Sequence, residues 1–165
     1  MTLRPGDGGA RDRTALAGRR FLVVDDQSYM IDVVCEVLRH FAAKDAVRAD
    51  GVQTAIARCM LRDAFDCIIC DFNMKPLNGI NFLQGIRAGK LPEIKRDQHF
   101  VLLTGHGDLD VVKAAKALDV SGYAVKPVAP DTFIKTITRA LAVNHTLKSA
   151  AEYEAVPTGD LKRFQ

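Results

Sequence analysis

Four short apolar runs punctuate the chain: Phe21-Leu22-Val23-Val24, Cys67-Ile68-Ile69-Cys70, Phe100-Val101-Leu102-Leu103 and a weaker Tyr123-Ala124-Val125. The first three do not alternate with polar residues, which is the pattern of strands covered on both faces, as in a parallel sheet. A fainter fifth strand fits Ala46 to Ala49. Between the runs the apolar spacing changes to three and four. Met30, Val33, Val34, Val37, Leu38 and Phe41 form one helical stripe, and Val52, Ile56, Cys59 and Met60 a second. Leu83 and Ile86 mark a third, Val111, Ala114, Ala115 and Leu118 a fourth, and Phe133, Ile137, Ala140 and Leu141 a fifth. Ser28, Asn78 and Asp131 are candidate caps for the first, third and last of these helices.

Strand followed by helix, five times over, predicts an α/β sandwich: a parallel sheet with right-handed crossovers and helices on both faces. The charged stretch from Gly89 to Gln98 contains Pro92 and reads as a solvent loop. Residues 1–18 have too little apolar surface to order themselves and read as a flexible leader. Residues 19–145 form the domain. Residues 146–165 read as a tail that extends the last helix and frays at Pro157 and Gly159.

The length of 165 residues suits one such domain, and leaves no room for a DNA-binding or enzymatic effector behind it. The net charge of +3 is slight and no basic stripe is interleaved with aromatics, which argues against a nucleic-acid partner. No apolar run approaches the roughly eighteen residues of a membrane span, and the N-terminus lacks the apolar core of a signal peptide; a cytoplasmic protein is expected. Cys67 and Cys70 form a C-x-x-C, but on a strand residues three apart point to opposite faces. With no second pair and no histidines at ligand spacing, this is core and not a metal or redox motif. Cys35 and Cys59 fall on helical apolar positions and read as core as well.

In open parallel sheets, ligands bind beyond the carboxyl ends of the strands. The polar residue after each run is therefore informative: Asp25 and Asp26 after the first, Asp71 after Cys70, Thr104 after Leu103 and Lys126 after Val125. Taken singly, each has an ordinary explanation as a turn, cap or loop residue. Together they would gather three carboxylates, a hydroxyl and an ammonium from four strands at one edge. Crowded carboxylates repel and need compensation. A hard divalent cation such as Mg²⁺, which favours carboxylate oxygens, waters and a phosphate oxygen, supplies it. Lys126 adds a point charge suited to a phosphoryl group and Thr104 a donor hydroxyl. Such a site suits phosphoryl transfer, in which a carboxylate can itself be the nucleophile.

The motifs FLVVDDQS, CIICDFNMKPLNG, FVLLTGHG and GYAVKPV, spread from about Arg19 to Val143, resemble the receiver domains of two-component response regulators, the CheY-like group. The resemblance implies a doubly wound, flavodoxin-like three-layer fold with strand order 2-1-3-4-5. It implies Asp71 as phosphoacceptor for a histidine kinase or histidine phosphotransfer protein. It also implies Asp26, Asp71 and the Asn73 backbone carbonyl as Mg²⁺ ligands, with Asp25 ligating through water. Lys126 and Thr104 would meet the phosphoryl group, Tyr123 would turn inward with Thr104 on phosphorylation, and the Lys126-Pro127 bond would be cis. Asn73 and His106 stand where receivers tune dephosphorylation. The output surface would be the fourth helix, fifth strand and fifth helix, acting on another protein, or the phosphoryl group would be relayed onward. One departure is Lys75, where relatives often carry proline; here Pro76 comes one residue later, while Gly79 keeps its usual distance.

Other classes fit less well. A haloacid-dehalogenase-type phosphatase would want an aspartate at position 73 as general acid and its acidic pair after the nucleophile. A flavodoxin would want a phosphate-cradling loop where DDQSYM stands. A degenerate receiver, binding partners without phosphorylation, would have lost site residues, and all five are present.

Overall fold

The structure is a computed structural model, and it describes residues 13–61, 63–105 and 109–158. Five strands, β1 (Arg20–Val24), β2 (Asp45–Ala49), β3 (Cys67–Asp71), β4 (Phe100–Thr104) and β5 (Gly122–Val125), form one sheet. All neighbours pair in parallel, in the order β2-β1-β3-β4-β5. The helices between them are α1 (Ser28–His40), α2 (Val52–Leu61), α3 (Gly79–Arg87), α4 (Leu109–Ala117) and α5 (Pro130–Leu141). The predicted α/β sandwich and the doubly wound order are both found.

The period of two along each strand divides the core into two layers. Leu22, Val24, Ile68, Cys70 and Leu102 face α2, α3 and α4, whereas Phe21, Val23, Cys67, Ile69 and Leu103 face α1 and α5. The two cysteines of the C-x-x-C thus lie in different cores, and all four cysteines are free. Burial pushes the Cys67 and Cys70 thiols well up, as expected of inert core residues. Every residue of β3 and β4 is buried, which is why their sequences do not alternate.

Several details differ from the sequence reading. The α1 stripe is Ile31, Val34, Cys35 and Leu38, while Val33 is exposed. Met60 is exposed and Cys59 only half-buried near the end of α2. Asn78 does cap α3, in a reciprocal capping box with Asn81. Ser28 and Asp131 do not cap: Gln27 precedes α1, and Ala129 precedes α5 with Pro130 at the first helical position. The stretch from 89 to 98 is not a solvent loop, because Leu91 and Ile94 are buried in the α2–α4 core.

Both chain ends are also more involved than expected. The leader was predicted to reach Gly18, and residues 1–12 lie outside those described. Leu16, however, is fully buried beside Phe21 and Val23, and Leu16 N–H donates to Phe41 O at 3.1 Å. The tail does not extend α5. It breaks from α5 after Leu141, runs irregularly from 143 to 149 and forms a separate short helix, α6 (Ala150–Glu154), whose Tyr153 is buried in the α3 side of the core. Among the described residues no helix is long and apolar enough to cross a membrane.

Burying one leucine side chain contributes about 1.5–3 kcal/mol, and the cavity left by truncation adds to the loss. Leu16→Ala is therefore expected to lower unfolding free energy by about 2–5 kcal/mol in urea titration; a change near zero would return residues 14–17 to solvent.

Candidate phosphoacceptor site

Asp25, Asp26, Asp71, Thr104 and Lys126 gather at the carboxyl edge of the sheet, at or just past the ends of β1, β3, β4 and β5. Asp71 ends β3, where it pairs with Leu103, and the next residue, Phe72, donates its N–H to Leu103 O at 2.7 Å. Thr104 ends β4 and accepts at its carbonyl from Lys126 N–H at 2.7 Å. Asp25 follows β1, held by its own N–H on Ala49 O at 3.1 Å. Its Oδ1 accepts from Gln27 N–H at 2.9 Å, an Asx turn that swings the chain into α1. The sequence reading passed over Gln27, although an aspartate two residues ahead of a backbone donor is a readable turn signal.

The charges converge. Lys126 Nζ lies 2.8 Å from Asp71 Oδ1 and 3.2 Å from Asp25 Oδ2. Asp25 and Asp71 are buried and Asp26 is exposed, yet all three offer an oxygen within 4.8 Å of the others. Burial raises the Asp71 carboxyl above the usual aspartate range. The Lys126 hydrogen bond pulls it back, but the Asp25 charge pushes further up, and the net direction is upward. For Lys126, burial opposes the charge, but the hydrogen bonds and charges of Asp71 and Asp25 outweigh it, so its pKa rises. Three carboxylates around one ammonium remain under-compensated, and a set of hard oxygen donors open on the Asp26 side fits Mg²⁺.

Thr104 is buried, and its Oγ1 has no hydrogen-bond partner. A buried unpaired hydroxyl costs free energy, and here it leaves a donor free at the edge where the carboxylates gather. Asn73 is exposed in the loop after Asp71, while Met74 next to it is buried and anchors that loop. The Lys75-Pro76 and Lys126-Pro127 peptides are both cis. Gly79 carries a constraint that its place in the sequence does not reveal. A Cβ there would fall 2.6 Å from Asp71 O and 2.7 Å from Leu102 Cδ1. Only glycine lets α3 begin directly against the end of β3. Tyr123 lies away from the charges on β5 and is exposed. His106 lies outside the described residues.

Residues 21–138 match the model of the response regulator receiver domain. The chain belongs to the response regulator receiver family. It is 33% identical over 113 residues to the chemotaxis protein CheY-3 of Vibrio cholerae, covering 68% of this chain and 84% of that protein. It is 32% identical over 111 residues to the chemotaxis protein CheY of Pseudomonas aeruginosa, covering 66% and 84%. Among solved structures, the receiver is similar to Vibrio cholerae CheY4, with a TM-score of 0.65, 27% identity, and coverage of 75% of this chain and 99% of that one.

A carboxyl whose pKa is raised on folding binds its proton more tightly in the fold than in the unfolded chain. Its contribution to stability is fullest below the unfolded value and is lost as pH rises through the raised one. At neutral pH the charge on Asp71 therefore opposes folding of the receiver. Asp71→Asn is expected to melt at a higher temperature than wild type at pH 7 in chelator, with the difference closing as pH falls toward the ordinary aspartate value of about 3.9. A lower melting temperature for the variant at pH 7 would contradict this balance.

Proposed function

We propose that this receiver accepts a phosphoryl group on Asp71 from a histidine kinase or histidine phosphotransfer protein and signals through a phosphorylation-dependent protein-binding surface or by passing the group onward. The observation that carries the reading is the arrangement of Lys126 between Asp25 and Asp71 with the unpartnered Thr104 hydroxyl at the same strand edge.

Asp26, Asp71 and the Asn73 carbonyl would hold Mg²⁺, with Asp25 reaching it through water; the ion supplies charge neutralisation for phosphoryl oxygens. The chain's own residues do the rest. An Asp71 carboxylate oxygen forms a bond to phosphorus as the donor's P–N bond breaks, and the donor imidazole leaves with that electron pair. Lys126, already against Asp71, turns its ammonium to the new phosphoryl oxygens, and Thr104 donates its free hydroxyl to one of them. Both charges then sit in partly buried surroundings where electrostatic contacts are strong. Asn73 and His106 are positioned in sequence to tune the water that later hydrolyses the acyl phosphate. Beyond this self-limited chemistry the receiver is a cytoplasmic signalling module and not an enzyme with a substrate of its own.

The output side is the α4-β5-α5 face. Tyr123 and Val125, on one face of β5, and Leu109, at the start of α4, are exposed there. Drawing Thr104 toward the phosphoryl group opens space for Tyr123 to move inward, which changes this apolar surface. A shift of this kind needs only a few kcal/mol of differential binding.

With Mg²⁺ and acetyl phosphate, intact-mass measurement is expected to show one base-labile phosphoryl adduct that is lost in Asp71→Asn. An adduct formed equally in the variant would sink the assignment.

A further inference from the structure

Residues 143–158 form a strap that passes under the amino ends of β4 and β5 and across the outer side of α3. His99 Nε2 lies 2.8 Å from Val143 O, just before β4, and His145 Nε2 lies 2.9 Å from Ser121 Oγ, just before β5. Tyr153 is the anchor. Its ring is fully buried, and its hydroxyl donates to Asp119 Oδ2 at 2.7 Å and accepts from Lys148 N–H at 3.2 Å. The Gln84 side-chain amide, on α3, donates to Tyr153 O at 3.0 Å and Val156 O at 3.2 Å. With the strap in place all nine residues of α3 are buried.

Asp119 is the informative contact. It lies in the turn between α4 and β5, in the left-handed region at φ +50°. Its carboxylate is held by Tyr153, and its carbonyl accepts from the buried Arg87 guanidinium of α3 at 2.9 Å. Strap and α3 therefore grip the same turn from two sides. Three residues later β5 begins, carrying Tyr123, a residue 39% exposed. The other end of α3 abuts the phosphoacceptor through Gly79.

We propose that residues 143–158 are a clamp that favours the arrangement of α4 and β5 with Tyr123 outward, and so opposes phosphoryl occupancy of Asp71. This rests on the receiver reading for the parts played by Asp71 and Tyr123. Bonds from Tyr153 and Gln84 made more strongly in the Tyr123-outward arrangement are differential free energy between the two arrangements. By linkage, a ligand that favours the inward arrangement loosens the strap, and loosening the strap tightens that ligand.

Beryllofluoride with Mg²⁺ is the probe, titrated into wild type, Tyr153→Phe and Gln84→Ala and followed by NMR. Tyr153→Phe keeps the buried ring and deletes only the hydroxyl. Tightening of about fivefold in Tyr153→Phe, the scale of one hydrogen bond to a charged group only partly lost in the switch, is expected. Equal or weaker affinity in the folded variants overturns the clamp alone. Failure of wild type to bind beryllofluoride overturns the receiver reading and the clamp with it. Should both variants unfold, amide exchange of residues 143–158 in wild type decides: faster exchange on saturation is expected, and unchanged exchange overturns the clamp.

Discussion

Three carboxylates drawn together at the end of a parallel sheet set the terms for this structure. Like charges at such distances repel, and the contact among the described residues that opposes the repulsion is the Lys126 ammonium between Asp25 and Asp71. The imbalance leaves three carboxylates whose oxygens lie within 4.8 Å of one another, a donor set that fits a divalent cation. The cost appears in the raised Asp71 carboxyl and in the unpaired Thr104 hydroxyl. Functional sites are where local rules are broken in this way, with the stabilisation found elsewhere.

Here that stabilisation comes from strands buried on both faces and from the helix that leads away from Asp71. β3 is apolar up to its last residue, the buried Asp71. Its successor loop is short and closes on Gly79, whose missing Cβ lets α3 press against the Asp71 carbonyl. The Asn78–Asn81 capping box satisfies the first turn of that helix, and Arg87 at its other end donates to the carbonyls of Leu118, Arg96, Gln98 and Asp119. Burial lowers the Arg87 pKa to about 10, and the guanidinium still keeps its charge at neutral pH. α3 thus runs from Asp71 at one end to the α4–β5 turn at the other, and the strap lies along it.

The sheet and the acidic edge were legible because they depend on one-dimensional signals. Unalternated runs such as Ile68-Ile69 and Leu102-Leu103 announce strands covered on both faces, and the polar residues after them fall at the ligand edge by topology. The helix stripes were legible in period but not always in phase: Met30 and Ile31 are both apolar, and only packing against β1 selects Ile31. Leu16, Leu91, Ile94 and Tyr153 were missed for another reason. Each is a large side chain in a short segment without a sustained apolar stripe, buried in a core built from distant parts of the chain. No local period marks such a residue. Gly79 stands out in the sequence by its position, but its reason, a backbone carbonyl where a Cβ would stand, exists only in three dimensions.

Asp25, Asp26 and Asp71 form an under-compensated acidic site whose donor set fits a divalent cation. Thermal unfolding across a Mg²⁺ titration tests it directly, since an ion that binds the folded state stabilises it with the logarithm of the ion concentration above the dissociation constant and so raises the melting temperature. The melting temperature of wild type is expected to climb with Mg²⁺ and that of Asp26→Asn to stay nearly flat. A melting temperature that ignores Mg²⁺ in wild type, or that climbs equally in both proteins, would contradict the account.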